Sequence, residues 1–244
     1  MENKKYQLGY DIHTHTTYSH GKGSIEDNVR VAMTKGMSYI AISDHGPGHL
    51  FYGYKREDVP LMRGEIDKLR VKYPKIKIKL SAEANIINKG KGLDIQPDEF
   101  KDYDFIIAGY HYGVTRGFCI FNWLYSHGFT FMEKWLKKKN TEMVLNAIRE
   151  NDIALLTHPG DKGPFDIELI AKACAKEDTL MEISTWHDHL TVEEIKIAAK
   201  TDVKFIISSD AHVPERVGDF QGGLERANEA GLDLKRIVNL KEVR

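Results

Sequence analysis

The chain alternates between two kinds of pattern. Short apolar runs rich in β-branched and aromatic residues end in polar clusters, and a stretch with helical spacing follows. Seven runs read as strands: residues 8–12, 39–43, 76–82, 105–108, 153–157, 180–183 and 205–208. Several helix starts carry capping chemistry. Ser24 precedes Asp27 by three residues and Thr191 precedes Glu194 by three, so each hydroxyl can accept from a backbone N–H that the first turn leaves unpaired. Asp58 with Pro60 marks a third start, and Asp166 a fourth.

Strands that alternate with helices imply parallel pairing through right-handed crossovers. Seven units of roughly 30 residues favour a closed barrel with helices outside, and pattern alone leaves an open doubly wound sheet as the alternative. In both, functional residues belong just beyond the C-terminal ends of the strands. No linker and no low-complexity segment interrupts the rhythm, so residues 1–244 are expected to form one domain. The irregular part is 112–139, where Tyr112, Phe118, Phe121, Trp123, Tyr125, Phe129, Phe131 and Trp135 fall between strand four and the next good helix, at 141–150. This insert is expected as a satellite hydrophobic cluster against the barrel or, because it leaves from the functional end, as a lid.

Charge and composition exclude more than they select. The formal charge is −1, from 35 basic and 36 acidic residues, so no bulk field favours nucleic acid or an anionic membrane. Cys119 and Cys174 are too few for a disulfide framework or a zinc–thiolate knuckle. No apolar run follows the first lysines as a signal peptide would require, and none approaches the ~18 residues of a membrane span. The expectation is a soluble cytoplasmic protein. What stands out is eleven histidines.

Their positions match the strand ends. His13 and His15 follow strand one, with His20 on the loop behind them; Asp44 and His45 follow strand two, Glu83 strand three and His111 strand four. His158 ends strand five, and Asp210 and His212 follow strand seven. Residues two apart on an extended chain face the same side, so His13 with His15 can present two imidazoles to one ion. Imidazole and carboxylate suit zinc, manganese or iron, and two ions within ~3.5–4 Å can share a bridging carboxylate. A single buried histidine is ordinarily a hydrogen-bonded core residue, and one His-x-His pair is weak evidence. Candidate ligands at six of seven strand ends are a different matter.

The motifs themselves carry a resemblance. Asp11-Ile-His-Thr-His with Ser19-His20, Ser43-Asp-His-Gly-Pro, Ala82-Glu-Ala-Asn, Gly109-Tyr-His, Thr157-His-Pro-Gly and Ser209-Asp-Ala-His appear in order. This set resembles the PHP (polymerase and histidinol phosphatase) family over residues 8 to about 225, and in particular its compact stand-alone branch. The resemblance implies a distorted (β/α)7 TIM-like barrel holding three divalent metal ions, zinc first, with manganese or iron as alternatives. It assigns His13, His15, Glu83 and Asp210 to one ion. Bridging Glu83 with His111 and His158 would hold a second, and His20, His45 and His212 a third. Glu83, Asp210 and His212 are the residues expected to carry catalysis.

Seven neutral imidazoles, two carboxylates and three divalent ions would leave about +4 at the barrel mouth. That charge suits a small phosphorylated substrate, and coordination lowers the pKa of water to ~7. The implied activity is hydrolysis of a phosphomonoester by a metal-bound hydroxide, as in a histidinol phosphatase. An amidohydrolase-type C–N hydrolase is the first rival, but it leaves Glu83 and the trio His20, His45 and His212 unexplained. A nuclease or nucleic-acid-processing PHP domain is the second, and balanced charge argues against it. Homo-oligomers stay open.

Smaller expectations complete the reading. Asp11 and Asp44 either orient imidazoles or cap loops. Arg216 reads as a solvated loop arginine before a phosphate contact, and Lys134 with 137–139 as a solvated helix face. His187 and His189, after strand six, read as ordinary surface histidines before a pocket lining, and His49 and His127 as ordinary surface histidines.

Overall fold

The computed structural model describes residues 5–243. β1 (Lys5–Leu8) and β2 (Tyr10–Asp11) lead to α1 (Ile25–Thr34), β3 (Tyr39–Ile42) and α2 (Val59–Lys72). β4 (Lys77–Leu80), β5 (Glu83–Asn85) and β6 (Ile107–Gly109) follow, then α3 (Cys119–Ser126) and α4 (Glu133–Glu150). β7 (Leu155–Leu156), α5 (Ile167–Lys176), β8 (Leu180–Ser184), α6 (Val192–Ala198), β9 (Phe205–Ser208), α7 (Gln221–Glu229) and β10 (Leu240–Val243) complete the chain.

β2, β3 and β4 pair in parallel, as do β5 through β9 in sequence order. Two parallel bridges join these sheets into a ring. His45 pairs with Glu83, backed by Gly46 N–H donating to the Glu83 carbonyl at 2.8 Å, and Thr14 pairs with Ala211, backed by His15 N–H to the Ala211 carbonyl at 2.9 Å. The result is an α/β fold, the distorted TIM-like barrel. Inside it Ile12, Ala41, Ile107, Leu155 and Ile206 form one apolar cluster. Burying an Ile or Leu side chain stabilises by about 1.5–3 kcal/mol, so this plug favours a closed ring over an open sheet. Outside, Ile25, Val29, Met62, Ile66, Ile170 and Ile195 press the helices onto the strands.

The distortion lies where the apolar pattern could not show it. The run 76–82 continues into β5 but exchanges neighbours: β4 pairs with β3, while β5 pairs with β6. β5 is buried throughout, and β4 alternates buried Ile78 and Leu80 with exposed Lys77 and half-exposed Lys79; the buried Ser81 between them reads as part of one continuous run. No α-helix follows strand three among the described residues; a loop and the 3-10 turn Pro97–Asp102 take its place. Run 8–12 also divides at Gly9, and its first part pairs antiparallel with β10, a C-terminal strand absent from the expected seven.

Helix starts fall where expected. Ser24 with Asp27 and Thr191 with Glu194 form capping boxes, and Asp166 accepts from Leu169 N–H at 3.1 Å. Asp58 stands at the start of α2 but makes no capping bond there, because its carboxylate accepts from Lys55 N–H in the preceding 3-10 turn. No described helix is long and apolar enough to cross a membrane.

Candidate metal centre

The ring's C-terminal end gathers the nine sequence-predicted ligands, with Glu83 at their centre. Strand alternation explains the first pair: Thr14 turns away to donate to the Ala41 carbonyl at 2.8 Å, leaving His13 and His15 on the opposite side with Nε2 atoms 3.2 Å apart. His158 and Asp210 reach the site through left-handed backbone, at φ 28° and 49°. Such conformations cost on the order of 1–3 kcal/mol in a residue with a side chain, and they concentrate at functional sites.

Glu83 is fully buried and faces four imidazoles at close range, with His15 Nε2 farther off at 3.8 Å. Its Oε1 lies 3.3 Å from His13 Nε2, 3.2 Å from His111 Nε2 and 3.0 Å from His158 Nε2; its Oε2 lies 2.8 Å from His45 Nδ1. Asp210 Oδ1 sits 3.0 Å from His15 Nε2 and 3.6 Å from His13 Nε2. His20 completes the group through its ring, 4.1 Å from that of His212 and 4.8 Å from that of His45. Gly109 makes room for this convergence, because a methyl group there would run into Thr157 and come 2.8 Å from Glu83 Oε1.

A second layer orients the rings. Glu182 Oε1 lies 2.7 Å from His13 Nδ1, while its Oε2 accepts from His158 N–H at 2.6 Å. The sequence reading missed Glu182. The available signal was a carboxylate inside an otherwise apolar run, since burial without a partner is costly and a partner must exist. Asn85 Oδ1 meets His111 Nδ1 at 2.9 Å, and half-buried Asp94 fixes that amide by accepting from Asn85 Nδ2 at 2.7 Å. Asp44 accepts from Thr16 N–H and from the Thr16 and Ser19 hydroxyls, pinning the loop that carries His20. Asp11 accepts from the Ser209 hydroxyl and Gly218 N–H. Both aspartates therefore tie loops under the ligands; neither touches a histidine ring.

Electrostatics divide the residues by role. Burial opposes charge on Glu83 and Asp210, yet the facing imidazoles hold both carboxyls well below the usual range. His13 is likewise buried, but Glu182, Glu83 and Asp210 together lift it well above an ordinary histidine. Burial and the neighbouring His45 drive His15 well down, and burial with His212 and His45 takes His20 to about 3. His212 is lowered too, by burial first. Neutral rings beside ionised carboxylates are what a cation requires, because a ligand must offer a lone pair.

The expectation of surface histidines fails twice. His187 comes inward, with Nε2 3.1 Å from Asp210 Oδ2 and Nδ1 3.0 Å from Asp161 Oδ2. Burial alone would lower its pKa, but these two carboxylates hold it at about 9. His49 is buried between the His45 and Tyr52 rings, and burial takes it down to about 4. His127 is exposed, as expected, and His189 is partly exposed against Glu194. Arg216 is not simply solvated: its guanidinium lies 4.4 Å from the Trp186 ring centre, and that ring lies 5.5 Å from His212.

The insert is more ordered than its composition suggested. α4 begins at Glu133 and takes in 133–139, with Lys134, Lys137, Lys138 and Lys139 on one helix. Tyr112, Tyr125, Glu133 and Lys137 line a cavity of about 600 Å³ whose far wall includes Asp161 and Glu194.

The donor set fits divalent ions. His15 Nδ1, His20 Nδ1 and His158 Nδ1 are buried without a partner, and His45 Nδ1 and His111 Nε2 meet only the Glu83 carboxylate, without hydrogen-bond geometry. Orphaned buried polar atoms are costly, and a cation shared among lone pairs removes the cost. Four groups of three ligand atoms lie within 4.8 Å of one another: His15, His45 and His212; His13, His15 and Glu83; His45, Glu83 and His111; His158, His187 and Asp210.

Known proteins are similar to this chain. A family model, the PHP domain, matches residues 11–194. A protein of Shewanella frigidimarina named "probable phosphatase" is 27% identical over 94% of this chain and 88% of its own length. Another so named, from a Thermoanaerobacter species, is 29% identical over 96% of this chain and 91% of its own. Among solved structures, the histidinol phosphate phosphatase of Lactococcus lactis, crystallised with zinc, L-histidinol and phosphate, superposes with a TM-score of 0.61. It is 15% identical, and the match covers 92% of this chain and 94% of that one.

Proposed function

The chain belongs to the PHP domain family, and on that premise we propose that it is a metal-dependent phosphatase of small phosphomonoesters, working with three divalent ions at the barrel mouth. The observation that carries this reading is Glu83, fully buried, with its two carboxylate oxygens facing the imidazoles of His13, His45, His111 and His158. In this reading His13, His15, Glu83 and Asp210 hold one ion; Glu83, His111 and His158 hold a second; His20, His45 and His212 hold a third. Zinc fits such donors, and manganese or iron would also be accepted. Bound ions supply positive charge for phosphoryl oxygens and a nucleophile from water at neutral pH.

The protein's own groups do the positioning. Glu182 keeps the proton of His13 on the outer nitrogen, and Asn85 turns the Nε2 of His111 inward. Arg216, stacked on Trp186 beside His212, places a fixed cation at the rim, where a phosphate dianion would enter. The cavity walled by Tyr112, Tyr125 and Lys137 is the space assigned to the leaving group. In this role the insert is a wall or lid over substrate.

The test is a substrate panel with protein stripped of metal and reloaded separately with zinc, manganese or iron. Phosphomonoesters should be hydrolysed, with amides and phosphodiesters untouched, and a strong chelator should abolish the activity reversibly. Activity that survives exhaustive metal removal, or hydrolysis of amides alone, would overturn the reading.

A further inference from the structure

β8 is the strand end to which no ligand was assigned, yet its loop delivers a histidine to the site. His187 lies three residues past Ser184, the last residue of β8. The loop is built rather than loose. The Ser184 hydroxyl accepts from the backbone N–H groups of Trp186 and His187, each at 3.2 Å. From outside, Arg226 donates to the carbonyls of Ser184, His187 (3.1 Å) and Leu190 (3.0 Å). A guanidinium that takes up three carbonyls of one loop fixes the loop's path.

The ring so placed repeats the geometry of the expected ligands. His13 sets Nδ1 against Glu182 and Nε2 toward Glu83 and Asp210; His111 sets Nδ1 against Asn85 and Nε2 toward Glu83. His187 sets Nδ1 against Asp161 at 3.0 Å and Nε2 toward Asp210 at 3.1 Å. Its ring centre is 4.6 Å from that of His158, whose Nδ1 is buried without a partner. An outer carboxylate with an inner lone pair is how metal-ligating histidines are usually oriented.

We infer that His187 is a tenth metal ligand, whose Nε2 joins Asp210 and His158, residues given above to two adjacent ions, and which is oriented from behind by Asp161. This rests on the proposal that the cluster binds divalent ions. The rival role is a ring that donates protons to both carboxylates. That would place a second positive charge against ions which Asp210 also attracts, and like charges at such range repel. The ion offers Nε2 a partner without that repulsion.

The test uses the full-length protein, labelled with ¹⁵N-histidine and loaded with zinc alone. In two-bond ¹⁵N–¹H spectra, assigned through bonds, His187 should keep a proton on Nδ1 and show Nε2 unprotonated with a metal-bound shift. Zinc titration of Asp161→Asn should show one ion weakened by about 10–100-fold, the usual cost of losing an outer partner, and His187→Asn should weaken it at least as much. If His187 in the zinc-loaded protein carries protons on both nitrogens, or if both variants bind zinc as the wild type does, the inference fails while the zinc content of the other positions still stands. A wild-type protein that takes up no zinc would instead overturn the cluster itself. Should His187→Asn not fold, the wild-type spectrum decides.

Discussion

The histidine cluster and the 112–139 insert are both dense in rings, and they are built in opposite ways. In the cluster the rings at strand ends have a named neighbour on an outer or inner nitrogen, as His13 has Glu182 and Glu83, while loop-borne His20 is held by ring contacts. In the insert Ile120, Trp123, Phe129 and Phe131 are half or more exposed, and the edge-on contacts of Phe118 and Phe121 with Trp135 are what tie the aromatics together. Polar rings are therefore fixed by directional partners, whereas the apolar rings pack loosely at the surface. What anchors the insert is itself polar. Asn122 and Asn140, both fully buried, exchange amide contacts at 3.1 and 2.7 Å, and Asn122 also donates to the Tyr110 hydroxyl at 2.7 Å.

The largest effect that separates the two regions should come from Glu83. Glu83→Gln removes a charge facing four imidazoles, so more than one ion should be lost. Activity should fall by more than the roughly 10–100-fold typical of losing an outer partner. His20→Ala should release at most about one equivalent, because it removes a single neutral ligand whose ring lies at the edge of the cluster. Elemental analysis of gel-filtered variants reads both. Full metal content in Glu83→Gln, with an emptied cluster in His20→Ala, would reverse the roles assigned to them. Neither change should alter the apolar plug around Ile107 and Leu155, so thermal unfolding of metal-free protein should stay near wild type.

That separation also explains what the sequence could show. His13, His15, His45, Glu83, His111, His158, Asp210 and His212 were legible because a parallel barrel brings the ends of its strands together, so position along the chain becomes position in the site. His187 was set aside as a surface residue, since it sits in a loop beyond its strand that the Ser184 hydroxyl and the carbonyls gathered by Arg226 hold in place. His49 was obscured for a similar reason: its burial depends on Tyr52 and His45 folding over it. The division between β4 and β5 was not legible, because the chain runs on extended through buried Ser81 and Ala82 while only the neighbouring strand changes. In the insert, aromatic content implied a packed cluster, while exposure depends on contacts that no periodicity encodes.

An intermediate effect should come from the insert's polar anchor. Asn122→Ala leaves the Asn140 side chain facing a vacated, buried partner, although Asn140 still donates to the Pro164 carbonyl at 3.1 Å. Leaving a buried polar group unsatisfied costs about 1–3 kcal/mol. For a chain of this size each kcal/mol lowers Tm by about 2–4 °C. Calorimetry should record that loss with metal content unchanged, since neither asparagine touches the cluster. A loss of metal at unaltered Tm would mean that the insert supports the centre directly.

The smallest effect belongs to the insert's most exposed ring. Phe131 is 81% exposed and stands in the short 3-10 turn Thr130–Met132. With so little area to give up, Phe131→Ser should change stability by no more than about 0.5 kcal/mol, as surface substitutions do. It should also leave kcat unchanged, because the turn contributes no residue to the cavity beside Asp161. The informative quantity is KM, compared between a phosphomonoester with a small leaving group and one with a bulky apolar leaving group. If the insert is a fixed wall, both KM values should match wild type within about twofold, a difference worth roughly 0.4 kcal/mol. A several-fold rise confined to the bulky substrate, at unchanged Tm, would show that Phe131 closes onto the bound molecule, and the loose packing of the insert would then be the mobility a lid requires.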